Sequence, residues 1–197
     1  MTEERTRFTS NELIMVTGIT LREMQYWSEQ GILQPDLPGT GSKRWFDRED
    51  MVRAMAAKRM RARHFATRAI RDLLRRAGRA VLEALAGEPL IMLVTFKGEY
   101  LHNGYQSARP VGAPRRAEVM PRDQVIDWMK KETAGCFAIA LDELAAHVHQ
   151  GTAWLSSPAG RRAVRKRPGE KCPTGPAFRP LSSAPGSLRH RASGNHG

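Results

Sequence analysis

Between residues 9 and 23 the chain writes two helix starts with a single glycine between them, and this constrains the fold more than anything else in the sequence. Thr9-Ser10-Asn11-Glu12 and Thr20-Leu21-Arg22-Glu23 each place a hydroxyl ahead of a carboxylate three positions on, so that each can satisfy a first-turn N–H of the other's backbone. Asp47-Arg48-Glu49-Asp50 repeats the pattern for a third helix. The first helix is predicted over about Ser10 to Thr17, and Gly18 supplies the positive φ that ends it sharply. A second helix beginning just after Thr20 leaves room only for a tight turn, the mark of a helix-turn-helix.

The second helix divides by face. Leu21, Met24 and Trp27 recur at steps of three and are expected to pack inward. Arg22, Gln25, Tyr26 and Glu29 fall on another side at helical spacing, offering a guanidinium fork, an amide and a phenol. Those groups hydrogen-bond base edges and phosphates. Thr20, at the head of this helix, joins them as a candidate contact, and Glu29 is expected near the helix end. Gly31 ends the helix, and Pro35, Pro38, Gly39 and Gly41 make a loop. Lys43-Arg44-Trp45-Phe46 follows as a short extended segment, with Lys43 and Arg44 as candidate phosphate clamps.

A third helix over about Asp47 to Arg63 buries Met51, Val52, Met55, Ala56 and Met60 and is expected to expose Arg48, Arg53, Lys58, Arg59, Arg61 and Arg63. A fourth, from about Thr67, carries Ile70, Leu73, Leu74, Ala77, Val81 and Leu85, with Gly78 as a weak point where it can break. Gly87-Glu88-Pro89 stops it.

Residues 8–77 resemble the DNA-binding domain of the MerR family of bacterial transcription regulators. The resemblance runs through Phe8-Thr9, Glu12-Leu13 and Thr17-Gly18, then Arg22, Tyr26-Trp27, Gly31-Ile32-Leu33 and Pro35, then the Lys43–Phe46 wing, and finally Phe65 and Ile70–Leu74. Lys43 stands where the family usually has tyrosine, and Gln25 where it usually has arginine. The resemblance implies a winged helix-turn-helix with its second helix in the major groove. It also implies a homodimer on a palindromic promoter, twisting the spacer so that RNA polymerase can engage. Family members usually continue into a long coiled-coil helix, which Pro89 forbids here because it lacks the N–H that a helix needs. A dimer held instead by residues 79–102 is expected, through Val81, Leu82 and Leu85 and through an edge of the strand Leu90–Phe96.

Charge follows the same division. The net charge is +12, which calls for a polyanionic partner. Residues 1–87 contribute +5, residues 88–155 contribute −1 and residues 156–197 contribute +8. The neutral middle reads as a small α+β unit that holds an effector or mediates self-association. Leu90–Phe96 is a buried-strand run, with a hairpin through Lys97-Gly98 to Glu99–His102, and residues 103–121 read as loop. Arg122–Thr133 is amphipathic, with Val125, Ile126 and Met129 inward and Lys130 and Lys131 outward. Gly135–Leu141 reads as a second strand, and Asp142 caps a helix to about Gln150. From Ser156 periodicity is lost, and Pro and Gly reach the level at which disorder is the default.

The expected fold class is therefore a mainly α N-terminal winged helix-turn-helix followed by a small α+β segment and a disordered C-terminal tail. Its parts are a DNA-binding domain at 8–77, a short helical linker at 78–87, the α+β segment at 88–155 and a basic tail at 156–197. The sequence has no run of 18 apolar residues and no apolar leader, so a cytoplasmic location and no membrane partner are expected. Cys136 and Cys172 are too few for a disulfide framework or a structural zinc site. His147 and His149, two apart on a helix, point in different directions, so neither a metal nor a cofactor is expected. No nucleophile elbow, phosphate loop or metalloprotease motif occurs, which argues against an enzyme. The expected function is sequence-specific binding of double-stranded DNA by a transcriptional regulator. The alternative is an architectural or phage-type accessory DNA binder without effector input.

Overall fold

The computed structural model describes residues 5–36, 44–96, 114–131 and 136–165. The N-terminal part holds β1 (Phe8–Thr9), α1 (Ser10–Thr17), α2 (Leu21–Glu29), β2 (Trp45–Phe46), α3 (Arg48–Ala62) and α4 (Thr67–Arg76). Both threonine caps form as full capping boxes, with Thr9 and Glu12 paired across the start of α1 and Thr20 and Glu23 across the start of α2. Asp47 accepts the backbone N–H of Asp50 at the start of α3. Gly18 ends α1 at φ 64°, in the left-handed region where a side chain is strained. β1 and β2 pair antiparallel, Phe8 opposite Phe46, and bring the start of α1 against the start of α3.

At Ala77 the chain turns and α5 (Gly78–Leu85) begins, so the helix breaks at Gly78 as its weak propensity predicts. After Gly87-Glu88-Pro89 comes an antiparallel sheet of β3 (Leu90–Phe96), β4 (Pro114–Pro121) and β5 (Cys136–Ala140), in the order β4-β3-β5. A 3-10 turn (Arg122–Gln124) leads into α6 (Val125–Lys131), and α7 (Leu141–Ser156) and α8 (Pro158–Arg165) complete the described chain.

One core runs through both halves. Met24, Trp27, Met51, Met60, Ile70 and Val81 share it with Met92, Val94, Ile139, Leu144 and Val148. α7 joins them, lying against α5, α3 and α1. The opposite face of the sheet packs Ile91 and Leu93 with Met120, Val125 and Trp128 beneath α6. Trp128 donates its indole N–H to Glu118 at 2.9 Å, so its polar end stays satisfied.

Several expectations are corrected here. Residues 114–121, read as loop, form β4, because an edge strand tolerates Pro at its ends. With β4 and β5 on its two sides, β3 is central and offers no edge to a twin. Val81 is buried and Leu85 packs against the core, so of the apolar residues named for a dimer on α5 only Leu82 is exposed. The hairpin expected at Glu99–His102 lies outside the described residues.

Of the three α6 residues expected inward only Val125 is; Ile126 and Met129 are 66% and 51% exposed, and Trp128 packs inward in their place. α7 does not stop near Gln150 but continues to Ser156, and Asp142 does not cap it. Asp142 instead accepts two hydrogen bonds at 2.9 Å from the Arg122 guanidinium, which also reaches Glu143, and this contact holds the Asp142 carboxyl below its ordinary range. Residues 158–165, read as the start of an aperiodic tail, form α8 against α7. Leu21, expected inward, is 53% exposed. Of the cations expected to be exposed on α3, Arg48, Arg53, Arg59 and Arg63 are half-buried. Arg53 is taken by Glu49 and Arg59 lies near Glu143, because α7 and α5 cover that side.

Candidate nucleic-acid interface

α2 is held from behind and left open in front. Met24 and Trp27 sink into the core, while Arg22, Gln25, Tyr26 and Glu29 are exposed. Arg22 forms no ion pair among the described residues, so its fork is free for an outside acceptor. The Tyr26 ring is 43% exposed, and its hydroxyl meets Thr67 Oγ1 at 3.2 Å, which fixes the phenol against the first turn of α4. Thr20 is exposed as well, but its hydroxyl works locally: Oγ1 accepts the Glu23 N–H at 3.1 Å, while Glu23 Oε2 accepts the Thr20 N–H at 2.7 Å. Its part in any interface is first to start the helix.

Two contacts that sequence reasoning did not anticipate set the aim of α2. Lys58 on α3 donates to the Gly18 carbonyl at 2.5 Å, bracing the turn between α1 and α2 from the next helix. Asp50 on α3 accepts the Gln34 N–H at 2.8 Å, fastening the chain that leaves α2. Burial pushes the Asp50 carboxyl up to about 6, against the pull of that N–H, with nearby Asp47 adding to the rise. In the sequence Asp50 looks like the third residue of a cap; only the tertiary fold gives it a second partner.

Asp36 and Trp45 exchange backbone hydrogen bonds at 2.9 and 3.2 Å, closing the loop that joins α2 to β2. Lys43 lies outside the described residues. Arg44 is half-buried, and its Nη1 is covered without a hydrogen-bond partner among the described residues. At the base of α1, Arg5 forks onto both oxygens of Glu12 at 2.7 Å. Burial would raise Glu12, but the Arg5 and Thr9 hydrogen bonds outweigh it and hold the carboxyl below its ordinary value.

His147 and His149 do diverge: Nε2 of His147 meets the Val16 carbonyl and Nε2 of His149 the Leu85 carbonyl. Among the described residues no cluster of three or more His, Cys, Asp or Glu is arranged to hold a metal ion. No helix among them is long and apolar enough to cross a membrane.

No curated protein matches the chain. The family model described as MerR HTH family regulatory protein matches residues 8–77, the stretch from β1 through the end of α4. It ends where α4 meets α5, so the sheet, α7 and α8 lie beyond it. Residues 8–77 are a MerR HTH family regulatory domain, the DNA-binding helix-turn-helix of transcription regulators.

Proposed function

We propose that this protein is a sequence-specific regulator of transcription that lays α2 in the major groove of double-stranded DNA. The observation that carries the reading is the split of α2, with Met24 and Trp27 buried while Arg22, Gln25 and Tyr26 stand open on a rigid helix. A helix fixed by its core face presents hydrogen-bonding groups without first ordering them, which favours base-edge readout. Thr20 sets the head of that helix, and Lys43 and Arg44 contact adjacent phosphates. A single reader covers one short half-site, so the working form is a homodimer on a two-fold operator, acting with RNA polymerase at the promoter. The test is to map bound sites across a genome with the full chain. Discrete footprints at promoters are expected; broad, sequence-indifferent coating would favour an architectural accessory binder instead.

A further inference from the structure

Where the α4–α5 turn passes the sheet, a groove of about 450 Å³ lies open between the two. Its floor is apolar, formed by Leu73, Ala80, Leu90, Met92 and Val119. Its rim carries Arg76, Arg79 and Glu83. Arg79 is already paired with Glu83 at 2.8 Å. Arg76, exposed at the last turn of α4, makes no ion pair among the described residues. Among the described residues the rim therefore has one uncompensated positive charge above an apolar floor.

From this we propose that the groove binds a small amphipathic carboxylate, its anionic head on Arg76 and its apolar body against Ala80, Met92 and Val119. Size decides against a protein partner. The volume falls in the range of small-molecule sites, about 300–1,000 Å³, whereas a stable protein interface buries on the order of 1,200 Å² or more. Charge decides against a cation, which the Arg76 guanidinium repels. Because one wall is α4 and the other is the β3–β4 face, a bound molecule touches both the 8–77 domain and the sheet that follows it.

The test is isothermal titration of the full chain with octanoate, using octyltrimethylammonium as the cationic control. Saturable octanoate binding is expected, with none by the control. Arg76→Glu weakens it at least about tenfold, Arg76→Lys retains it, and Ala80→Phe blocks it by filling the floor. Circular dichroism melts establish that each variant folds; if Ala80→Phe does not, Arg76→Glu decides, since that side chain is on the surface. Absence of octanoate binding, equal binding of the control, or binding that survives Arg76→Glu overturns the proposal. None of these readouts involves DNA, so the site stands or falls separately from the function of α2.

Discussion

The Nε2 of His147 lies 3.1 Å from the Val16 carbonyl, joining residues 131 apart in the chain. A carbonyl can only accept, so Nε2 carries the proton there. One turn on, Gly151 faces the same valine: a Cβ at that position would sit 2.7 Å from Val16 Cγ1. α7 is thus seated on the C-terminal turn of α1, immediately before Gly18 and the head of α2.

Gly151→Ala is therefore expected to destabilise the protein although it improves a helix interior. The propensity gain is at most about 1 kcal/mol, while overpacking a stiff buried valine costs about 1–3 kcal/mol. Urea unfolding of the variant should show a lower midpoint with unchanged slope. A midpoint at or above that of the wild type would mean that α7 is not seated on α1.

Asp50 predicts a pH dependence. Its carboxyl sits near 6 in the fold against 3.8 unperturbed, so the native state holds a proton that the unfolded chain releases. Its contribution is full below about pH 4 and is lost as pH rises through about 6, a loss on the order of 3 kcal/mol. Asp50→Asn keeps an acceptor for the Gln34 N–H without the buried charge, so this fall between pH 4 and 7 should be missing from its stability profile. Parallel profiles for the two proteins would remove Asp50 as the cause.

Much of this was legible in sequence because it is locally encoded. The capping boxes at Thr9 and Thr20, the turn at Gly18, the break at Gly78 and the stop before Pro89 all follow from backbone preferences within a few residues. So did the split of α2 at Met24, Trp27, Arg22, Gln25 and Tyr26. What escaped depends on distant partners. Gly151 looks like a helix end and is instead a close-packing site against Val16. β4 looks like a loop because its prolines are edge-strand features, visible only once β3 is beside it. Ile126 and Met129 obey helical periodicity, yet the sheet takes Trp128 in their place.

Thr20 separates capping from DNA contact. Thr20→Ala removes the acceptor for the Glu23 N–H and should cost about 1 kcal/mol of stability, whereas Thr20→Ser should restore it. Thermal melts of the two variants beside their DNA affinities distinguish the roles. Unchanged stability in Thr20→Ala would contradict the capping role.

Beyond α8, residues 166–197 carry six Lys or Arg against one Glu. Deleting them should flatten the dependence of log K on log salt without altering which sequences are chosen, since counterion release reads no bases. Equal slopes for the two proteins would show that this segment does not touch DNA.

The most direct test of the central claim is to enrich binding sequences from a random duplex pool with the full chain. Affinity for the enriched duplex is then measured for the wild type and for Arg22→Ala. A discrete motif is expected, with Arg22→Ala folding normally but losing roughly 1–3 kcal/mol of specific binding. Failure to enrich any motif, or equal affinity of the folded Arg22→Ala protein for it, would contradict α2 as the reader of DNA.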